Sequence, residues 1–298
     1  MTALRRAGAV FAALPPATRG IVWMTVAALG YVCTYAVVRQ LSGRFHTFEI
    51  VFFRSALGVL FMLPWLARAG PAALRTRRKG VYAVRVGLNY IGMVFLMWGV
   101  ANLPLQDVTA LMFTVPLFTV LFVALILGET VGLPRWTALL VGFGGAMVII
   151  RPGFAEVSLA MLAVLATCAL YALANTCTKS LTQTDNSNAV VFNVFLMMTV
   201  AGLGPAIWAW TTPGLADAPW IVAMGLFGSL ATIGTTRALA VADASVVMPF
   251  NFLKLPFSIV LGFALWAELP DLWTAAGAAI IFTATWYIGR REAAGRPM

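Results

Sequence analysis

The chain has 298 residues, of which 61% are hydrophobic and only 10% are charged, with a formal net charge of +10. This composition leaves too little polar surface to cover a water-soluble globule, so it indicates an integral membrane protein. The excess of Lys and Arg does not indicate a nucleic-acid partner, because these residues lie between apolar segments and do not gather on one solvated face.

Ten apolar segments follow one another along the chain, separated by short polar connections. A bilayer core about 30 Å thick needs about 20 helical residues, each rising about 1.5 Å. The segments therefore predict ten transmembrane helices lying in a lipid bilayer, with no soluble domain. The predicted spans are Gly20–Val38, Phe48–Leu66, Val81–Val100, Val108–Leu127, Trp136–Ile150, Ser158–Thr178, Ala189–Trp210, Trp220–Ala238, Ala244–Trp266 and Trp273–Ile288.

Basic residues distinguish the two sides of the predicted bundle. The loop from Arg68 to Lys79 is short, rich in cations and free of acids. The loops on the opposite side contain only Arg39, Arg44 and Arg151 as basic residues. By the positive-inside rule, both termini are predicted to lie in the cytoplasm.

The second half of the chain repeats the first about 140 residues later. The segment from Ala28 to Tyr35 matches the segment from Cys168 to Asn175. The equivalent positions are Tyr31 with Tyr171, Arg39 with Lys179, Pro116 with Pro256, and Glu129 with Glu268.

Five spans in each half is an odd number, so the second half must cross the membrane in the opposite direction. The predicted fold is an all-α integral membrane protein, made of two inverted five-helix repeats around a central cavity. The first repeat covers residues 1–153 and the second covers residues 154–298, and together they form one structural unit.

These features resemble the drug/metabolite transporter superfamily, specifically its bacterial ten-helix members with two EamA repeats. Arg54 resembles an arginine of the family's second helix, and Leu127-Gly128-Glu129 resembles the end of its fourth helix. The chain is similar to the aromatic amino acid exporter subgroup. The resemblance implies a bacterial inner-membrane protein with cytoplasmic termini and a central cavity lined mainly by helices 1, 3, 4, 6, 8 and 9.

The sequence departs from the family pattern at two places. The family often has an acidic residue before the fourth-helix proline, where this chain has Val115 and, in the second repeat, Leu255. The second repeat also ends in Trp266-Ala267-Glu268, without the glycine of the first. Both departures leave open whether the chain shares the family's coupling mechanism.

Lys254 is the strongest candidate for contact with a substrate. It lies about 15 Å into its span, near the midplane, whereas Arg54 lies about 9 Å in and can reach the interface by snorkelling. A charge at such depth needs a buried partner or an aqueous cavity, and an ammonium there would attract an anionic group such as a carboxylate. Asn251, three residues earlier, shares its helix face.

Aromatic and amide side chains on the predicted lining helices complete the candidate binding site. Aromatic walls with scattered polar groups suit a neutral or aromatic amino acid held by its polar end, although the same residue types also form interfacial belts. The candidates besides Lys254 and Asn251 are Tyr31, Tyr35, Asn89, Tyr90, Trp98, Tyr171 and Asn175.

Three prolines are candidate hinges. Pro116 and Pro256 each remove one donor from the helical hydrogen-bond ladder, and Pro249 lies about two turns before Pro256. Broken ladders near the midplane occur where backbone lines a cavity or where neighbouring groups satisfy it, so packing kinks are the alternative.

The sequence therefore predicts a secondary transporter that exports aromatic or other neutral amino acids by alternating access. Export of other small metabolites or lipophilic drugs is the alternative, and a membrane enzyme is a remote one, because His46 is the only histidine and has no evident acid–base partner. We expect no cofactor and no metal site. Protons are a candidate coupling ion.

Overall fold

The computed structural model describes residues 14–115, 117–118, 121–122, 133–151, 158–182, 184–241 and 248–293. Within these ranges the chain forms ten α-helices, two 3-10 segments and no strand, which confirms the all-α prediction. The helices are α1 (Pro16–Leu41), α2 (Thr47–Ala69), α3 (Lys79–Asn102), α4 (Leu105–Met112), α5 (Leu133–Ile150), α6 (Leu159–Thr182), α7 (Ser187–Trp208), α8 (Ala218–Val241), α9 (Lys254–Trp266) and α10 (Leu272–Ala293). The 3-10 segments are Pro71–Leu74 and Met248–Leu253.

Five of the described helical segments are long and apolar enough to cross a membrane. They lie in α1, α2, α3, α7 and α8, and the shorter apolar segments in α5, α6, α9 and α10 follow the same order as the predicted spans. Apolar helices of this length are stable in lipid because every interior backbone group bonds within the helix.

Local sequence fixes where the first helices begin and end. Pro16 opens α1, where its missing N–H has no helical acceptor to lose. His46 caps α2 by accepting a hydrogen bond from the Phe48 N–H, while the Glu49 carboxylate accepts one from the His46 N–H at 2.9 Å. The lone histidine therefore has a structural role at this helix end.

The helices pack in pairs that follow the symmetry between the two halves of the chain. α1 packs along α8, and its counterpart α6 packs along α3. α2 packs against its own counterpart α7, and α5 against its counterpart α10. Exchanging the first five helices for the last five returns the same set of neighbours, as a pseudo-twofold axis between inverted repeats requires.

Glycines allow the closest of these approaches. A Cβ on Gly277 would lie 2.6 Å from the Gly145 carbonyl oxygen, and a Cβ on Gly145 would lie 2.9 Å from that of Gly277. In the same way, a Cβ on Gly234 would lie 2.9 Å from the Trp23 carbonyl oxygen of α1. The backbones of α5 with α10 and of α1 with α8 therefore touch, as small residues permit in membrane bundles.

The predicted spans Val108–Leu127 and Ala244–Trp266 are not single uninterrupted helices. α4 ends at Met112 and a turn follows at residues 113–114, where the Thr114 N–H donates to Leu111 O at 2.9 Å. In the second repeat, the 3-10 segment runs to Leu253 and α9 starts at Lys254. The interruptions fall at equivalent places, since the repeat aligns Thr114 with Lys254.

Pro256 explains the position of the second interruption. It is the third residue of α9, where the backbone N–H of any residue would lack a helical acceptor, so proline costs little there. Pro256 therefore lies in the opening turn of α9, directly after the 3-10 segment. Pro249 lies within the preceding 3-10 segment, and Pro116 is outside the described residues.

Candidate functional site

The interruption before α9 brings Lys254 against α1. Its Nζ lies 4.1 Å from the centroid of the Tyr31 ring, within the range of a cation–π contact. Within the described ranges, no carboxylate oxygen lies within ion-pair distance of Lys254. Two residues that the sequence assigned to one site are thus in direct contact.

Two further tyrosines of the predicted site lie on α1 and α6. Tyr35, one turn after Tyr31 on α1, is buried, and Tyr171 lies on α6. The Tyr171 ring occupies space that a side chain at position 92 would fill, because a Cβ on Gly92 would lie 2.9 Å from its Cε1. The Tyr171 ring of α6 therefore packs against α3, while the Tyr31 ring of α1 faces the Lys254 ammonium of α9.

Arg54 of α2 is a second cation inside the bundle. Its Nη1 lies 3.5 Å from the sulfur of Met93, the residue after the Gly92 that the Tyr171 ring contacts. Its Nε is buried and has no hydrogen-bond partner. We call Lys254, Tyr31, Tyr35, Tyr171 and Arg54 the tyrosine–cation cluster.

The inward position of the Arg54 side chain was not predicted from the sequence. Its depth allowed its side chain to snorkel toward an interface, but the guanidinium turns inward against α8. Gly228 makes the space, because a Cβ there would lie 3.1 Å from the Arg54 Nε. The resemblance of Phe52-Phe53-Arg54 to the family's second helix was the only signal in the sequence.

The other predicted binding residues lie at several places in the bundle. The Tyr90 ring packs against α7, where a Cβ on Gly202 would lie 3.1 Å from its Cε2, and its hydroxyl is buried without a partner. Trp98 is 39% exposed, and Asn175 is exposed as well. Asn89 and Asn251 are partly buried. Contact of these five residues with a substrate stays a prediction.

An apolar cavity of about 310 Å³ lies between α9 and α10. The Phe252 ring forms one wall, with centroids 4.6 Å from Phe113 and 4.5 Å from Phe282. Pro256 and Thr274 also line it, but Lys254 does not. The cavity is therefore separate from the tyrosine–cation cluster, although residues of α9 border both.

Polar side chains join the loops at one end of the bundle, which we call the Arg39 end. Arg39 makes two hydrogen bonds to the Glu268 carboxylate, at 2.7 and 2.5 Å, and its guanidinium lies 4.6 Å from the Trp266 ring centroid. Such bidentate pairs are the strongest charged contacts of arginine. The further links at this end are Arg44–Asp217, Arg151–Asp271, Thr274–Asp107 and the Thr211 N–H with Glu49.

This network favours the ionised form of the Asp271 carboxyl. Partial burial alone would raise the pKa of its carboxyl, but hydrogen bonds from Thr274 and the neighbouring Arg151 guanidinium outweigh that effect and hold the pKa below its ordinary value. At the opposite end of the bundle, the Tyr82 hydroxyl donates to Asp185 at 3.0 Å. In this conformation, charged pairs hold the loops of the Arg39 end together.

The fold and the cluster define a class of protein. Ten apolar helices in two exchangeable halves, with cations and phenol rings inside the bundle, are features of multi-pass membrane carriers built from inverted repeats. The sequence profile of the EamA-like transporter family matches residues 18–151 and again residues 158–290. The chain belongs to this family and is a membrane transporter.

Individual relatives extend this assignment over nearly the whole length. The chain is 32% identical over 276 residues to a riboflavin transporter of Rhizobium johnstonii, covering 92% of this chain and 91% of the relative. It is 27% identical over 276 residues to an S-adenosylmethionine uptake transporter of Rickettsia prowazekii, covering 93% and 94%. A solved crystal structure superposes with a TM-score of 0.64 at 16% identity, covering 92% of this chain and 99% of that chain, and supports the fold.

Proposed function

We propose that the protein is a secondary transporter that exports aromatic or other neutral amino acids from the cytoplasm by alternating access. The observation that carries the proposal is the Lys254 ammonium, 4.1 Å from the Tyr31 ring and without an ion-pair partner among the described side chains. A cation kept inside an apolar bundle is costly, and contact with an anionic group of the cargo would offset that cost.

The tyrosines support an aromatic cargo. Tyr31, Tyr35 and Tyr171 offer flat apolar surfaces, and their hydroxyl groups can donate to a carboxylate or accept from an ammonium. Offset or edge-on ring contacts contribute about 0.5–1.5 kcal/mol beyond burial of the ring. An aromatic amino acid presents both a ring and a carboxylate, the two groups that phenol rings and an ammonium can bind.

The relatives favour a second candidate cargo. Riboflavin and S-adenosylmethionine both contain a planar heteroaromatic ring, and the riboflavin transporter of Rhizobium johnstonii is a relative with 32% identity. Transport of riboflavin or another planar metabolite is therefore the second proposal. In this case the planar ring of the cargo would contact the phenol rings, and a polar group of the cargo would contact the Lys254 ammonium.

Orientation and coupling complete the proposal. We place the protein in a bacterial inner membrane with both termini in the cytoplasm, because the basic loop from Arg68 to Lys79 marks that side. The Arg39 end would then face the periplasm. Protons stay a candidate coupling ion, with facilitated export down a cargo gradient as the alternative.

The test is transport by the purified protein in proteoliposomes. The labelled compounds are Phe, Trp, Thr, riboflavin, S-adenosylmethionine and a quaternary ammonium dye, each with and without a pH gradient and in both directions of flux. Flux of Phe or Trp supports amino acid transport, and dependence on the gradient supports proton coupling. Flux of riboflavin alone selects the second candidate, and flux of the dye alone contradicts both.

A further inference from the structure

The polar links at the Arg39 end all cross between the two repeats. Among the described residues there are five of them, and each joins a residue of the first repeat to a residue of the second. They are Arg39–Glu268, Arg44–Asp217, Arg151–Asp271, Thr274–Asp107 and the Thr211 N–H with Glu49. The helices that each link joins decide whether the link must break when the bundle opens at this end.

Three of the links reinforce helices that already pack side by side. The Arg44–Asp217 pair lies between the end of α1 and the start of α8. The Arg151–Asp271 pair lies in the same way between α5 and α10, and the link from Thr211 lies between α7 and α2. Each of these helix pairs packs along its length, so these links can persist while the two helices of a pair move together.

The Arg39–Glu268 ion pair has a different place in the bundle. Arg39 lies in the last turn of α1, and Glu268 lies two residues after the end of α9. The contact between α1 and α9 is limited, because the principal partner of α1 is α8. The ion pair therefore closes the boundary between α1 and α9, which we call the α1–α9 seam.

The same seam contains the contact between Lys254 and Tyr31, at 4.1 Å. On α1, Arg39 lies eight residues after Tyr31, which places it about 12 Å further along the helix axis. On α9, the chain runs from Lys254 to Trp266, whose ring centroid lies 4.6 Å from the Arg39 guanidinium. The ion pair therefore lies between the candidate substrate contact and the Arg39 end.

The geometry of this pair suits a contact that forms and breaks. Both guanidinium nitrogens bond the Glu268 carboxylate, at 2.7 and 2.5 Å, which is a strong arrangement while it is formed. The side chains of Arg39 and Glu268 are each 21% exposed, so water can solvate the two charges once they separate. Breaking a fully buried pair would instead leave charges without compensation.

We propose that the Arg39–Glu268 ion pair is the gate of the Arg39 end, which separates when α1 moves from α9 and so admits solvent and cargo to the Lys254 ammonium. The other ion pairs of this end stay formed during opening, because each joins helices that pack as a pair. This inference rests on the alternating access of the proposed function and names the contact that regulates access from one side.

Thiol labelling at the site measures the gate without any need for flux. The reporter is Lys254→Cys in a background without the native cysteines, in sealed membrane vesicles. An impermeant thiol reagent is applied from the side on which Leu215→Cys, 95% exposed at the Arg39 end, reacts. The rate of labelling of Lys254→Cys, relative to that of Leu215→Cys, measures how often the seam is open.

With the ion pair intact, we expect slow labelling from this side. Arg39→Gln and Glu268→Gln should each raise the rate at least about tenfold, as loss of a charged hydrogen bond implies. Arg44→Gln and Arg151→Gln, which each remove another ion pair of the same end, are the matched controls and should leave the rate unchanged. Exchange of the charges, Arg39→Glu with Glu268→Arg, should restore part of the slow rate.

Locking the pair tests whether transport needs this gate to open. Arg39→Cys with Glu268→Cys, joined by a bifunctional thiol reagent that a reductant cleaves, should stop flux in proteoliposomes, and reduction should restore it. Arg44→Cys with Asp217→Cys, joined in the same way, is the control and should still transport.

The outcomes separate this inference from the proposed function. Fast labelling with the ion pair intact, or an unchanged rate in folded Arg39→Gln and Glu268→Gln proteins, overturns the gate. An equal rise in Arg44→Gln overturns it as well, because the whole end would then loosen together. Should the Gln variants not fold, Arg39→Lys and Glu268→Asp, which keep the charges but change the geometry, take their place. Absence of wild-type flux together with labelling that depends on the pair contradicts the proposed transport but supports the gate.

Discussion

Ala267 ends α9 in a left-handed conformation, with φ at 56°. The cap bond is that of a helix that closes on such a residue, since the Ala267 N–H donates to Phe263 O at 2.9 Å. A Cβ makes this conformation unfavourable, which is why glycine usually occupies it. Ala267 nevertheless lets the chain turn so that Glu268 meets Arg39.

Ala267→Gly should therefore stabilise the protein. Removing the Cβ relieves the strained backbone and is expected to raise the free energy of unfolding by roughly 1 kcal/mol. The measurement is the midpoint of thermal unfolding in detergent. Ala264→Gly, three residues earlier within α9, is the control and should lower stability by roughly 0.5–1 kcal/mol. A lower midpoint for Ala267→Gly would contradict this explanation of the turn.

Lys254 and Arg54 differ in how far the sequence determines their positions. Lys254 could be located because counting residues along one span gives its depth, and the structure adds its contact with Tyr31. Arg54 could not, because the direction of its side chain depends on the empty position at Gly228 of another helix. The depth of a residue in the membrane follows from its place along one helix, but the direction of its side chain depends on how several helices pack.

At the scale of elements, the contact between α5 and α10 depends on Gly145. Gly145→Ala places a methyl group against the Gly277 backbone oxygen, at a distance of 2.9 Å, so the two helices must separate. Overpacking of this kind is expected to cost roughly 1–3 kcal/mol. The midpoint of thermal unfolding in detergent should fall accordingly.

Gly144 offers a matched control on the same helix. A Cβ at Gly144 meets no atom within 4 Å, so Gly144→Ala should be neutral or stabilise the helix by up to about 1 kcal/mol. Similar losses in both variants would mean that helix propensity, and not the contact with α10, sets the effect. The sequence showed the glycine run but not which member touches a partner.

The interruptions of α4 and α9 were only partly predictable. Proline indicated a broken hydrogen-bond ladder in both repeats, and Pro256 does lie beside one. Pro256 stands in the first turn of α9, and the hinge role of the three prolines stays a prediction. A proline in the sequence shows where a backbone N–H is missing. Whether a helix bends or begins at that position depends on the neighbouring residues.

For the whole molecule, the basic loop from Arg68 to Lys79 predicts the membrane orientation. Cysteines introduced at Arg77 and Arg296, in a background without the native cysteines, should react with an impermeant thiol reagent from the cytoplasmic side. A cysteine at Leu215, which is 95% exposed in the loop between α7 and α8, should react from the other side. Labelling of Arg77→Cys and Leu215→Cys from one side would contradict the arrangement of the helices.

The architecture of the whole chain was the most predictable part. Apolar length, the distribution of basic residues and the repeat together gave the number and order of helices, because membrane insertion restricts the backbone to few solutions. The cargo was less predictable, since aromatic and basic residues suit several planar solutes. The particular pairing of α1 with α8 and of α3 with α6 required the structure.

Flux through the Lys254→Ala variant in proteoliposomes, measured with whichever compound the wild type transports, shows most directly whether Lys254 contacts the cargo. We expect the variant to insert and fold but its flux to fall at least about tenfold, as loss of a charged contact implies. Lys79→Ala, at the exposed start of α3, should transport like the wild type. Wild-type flux through a folded Lys254→Ala protein would contradict the account.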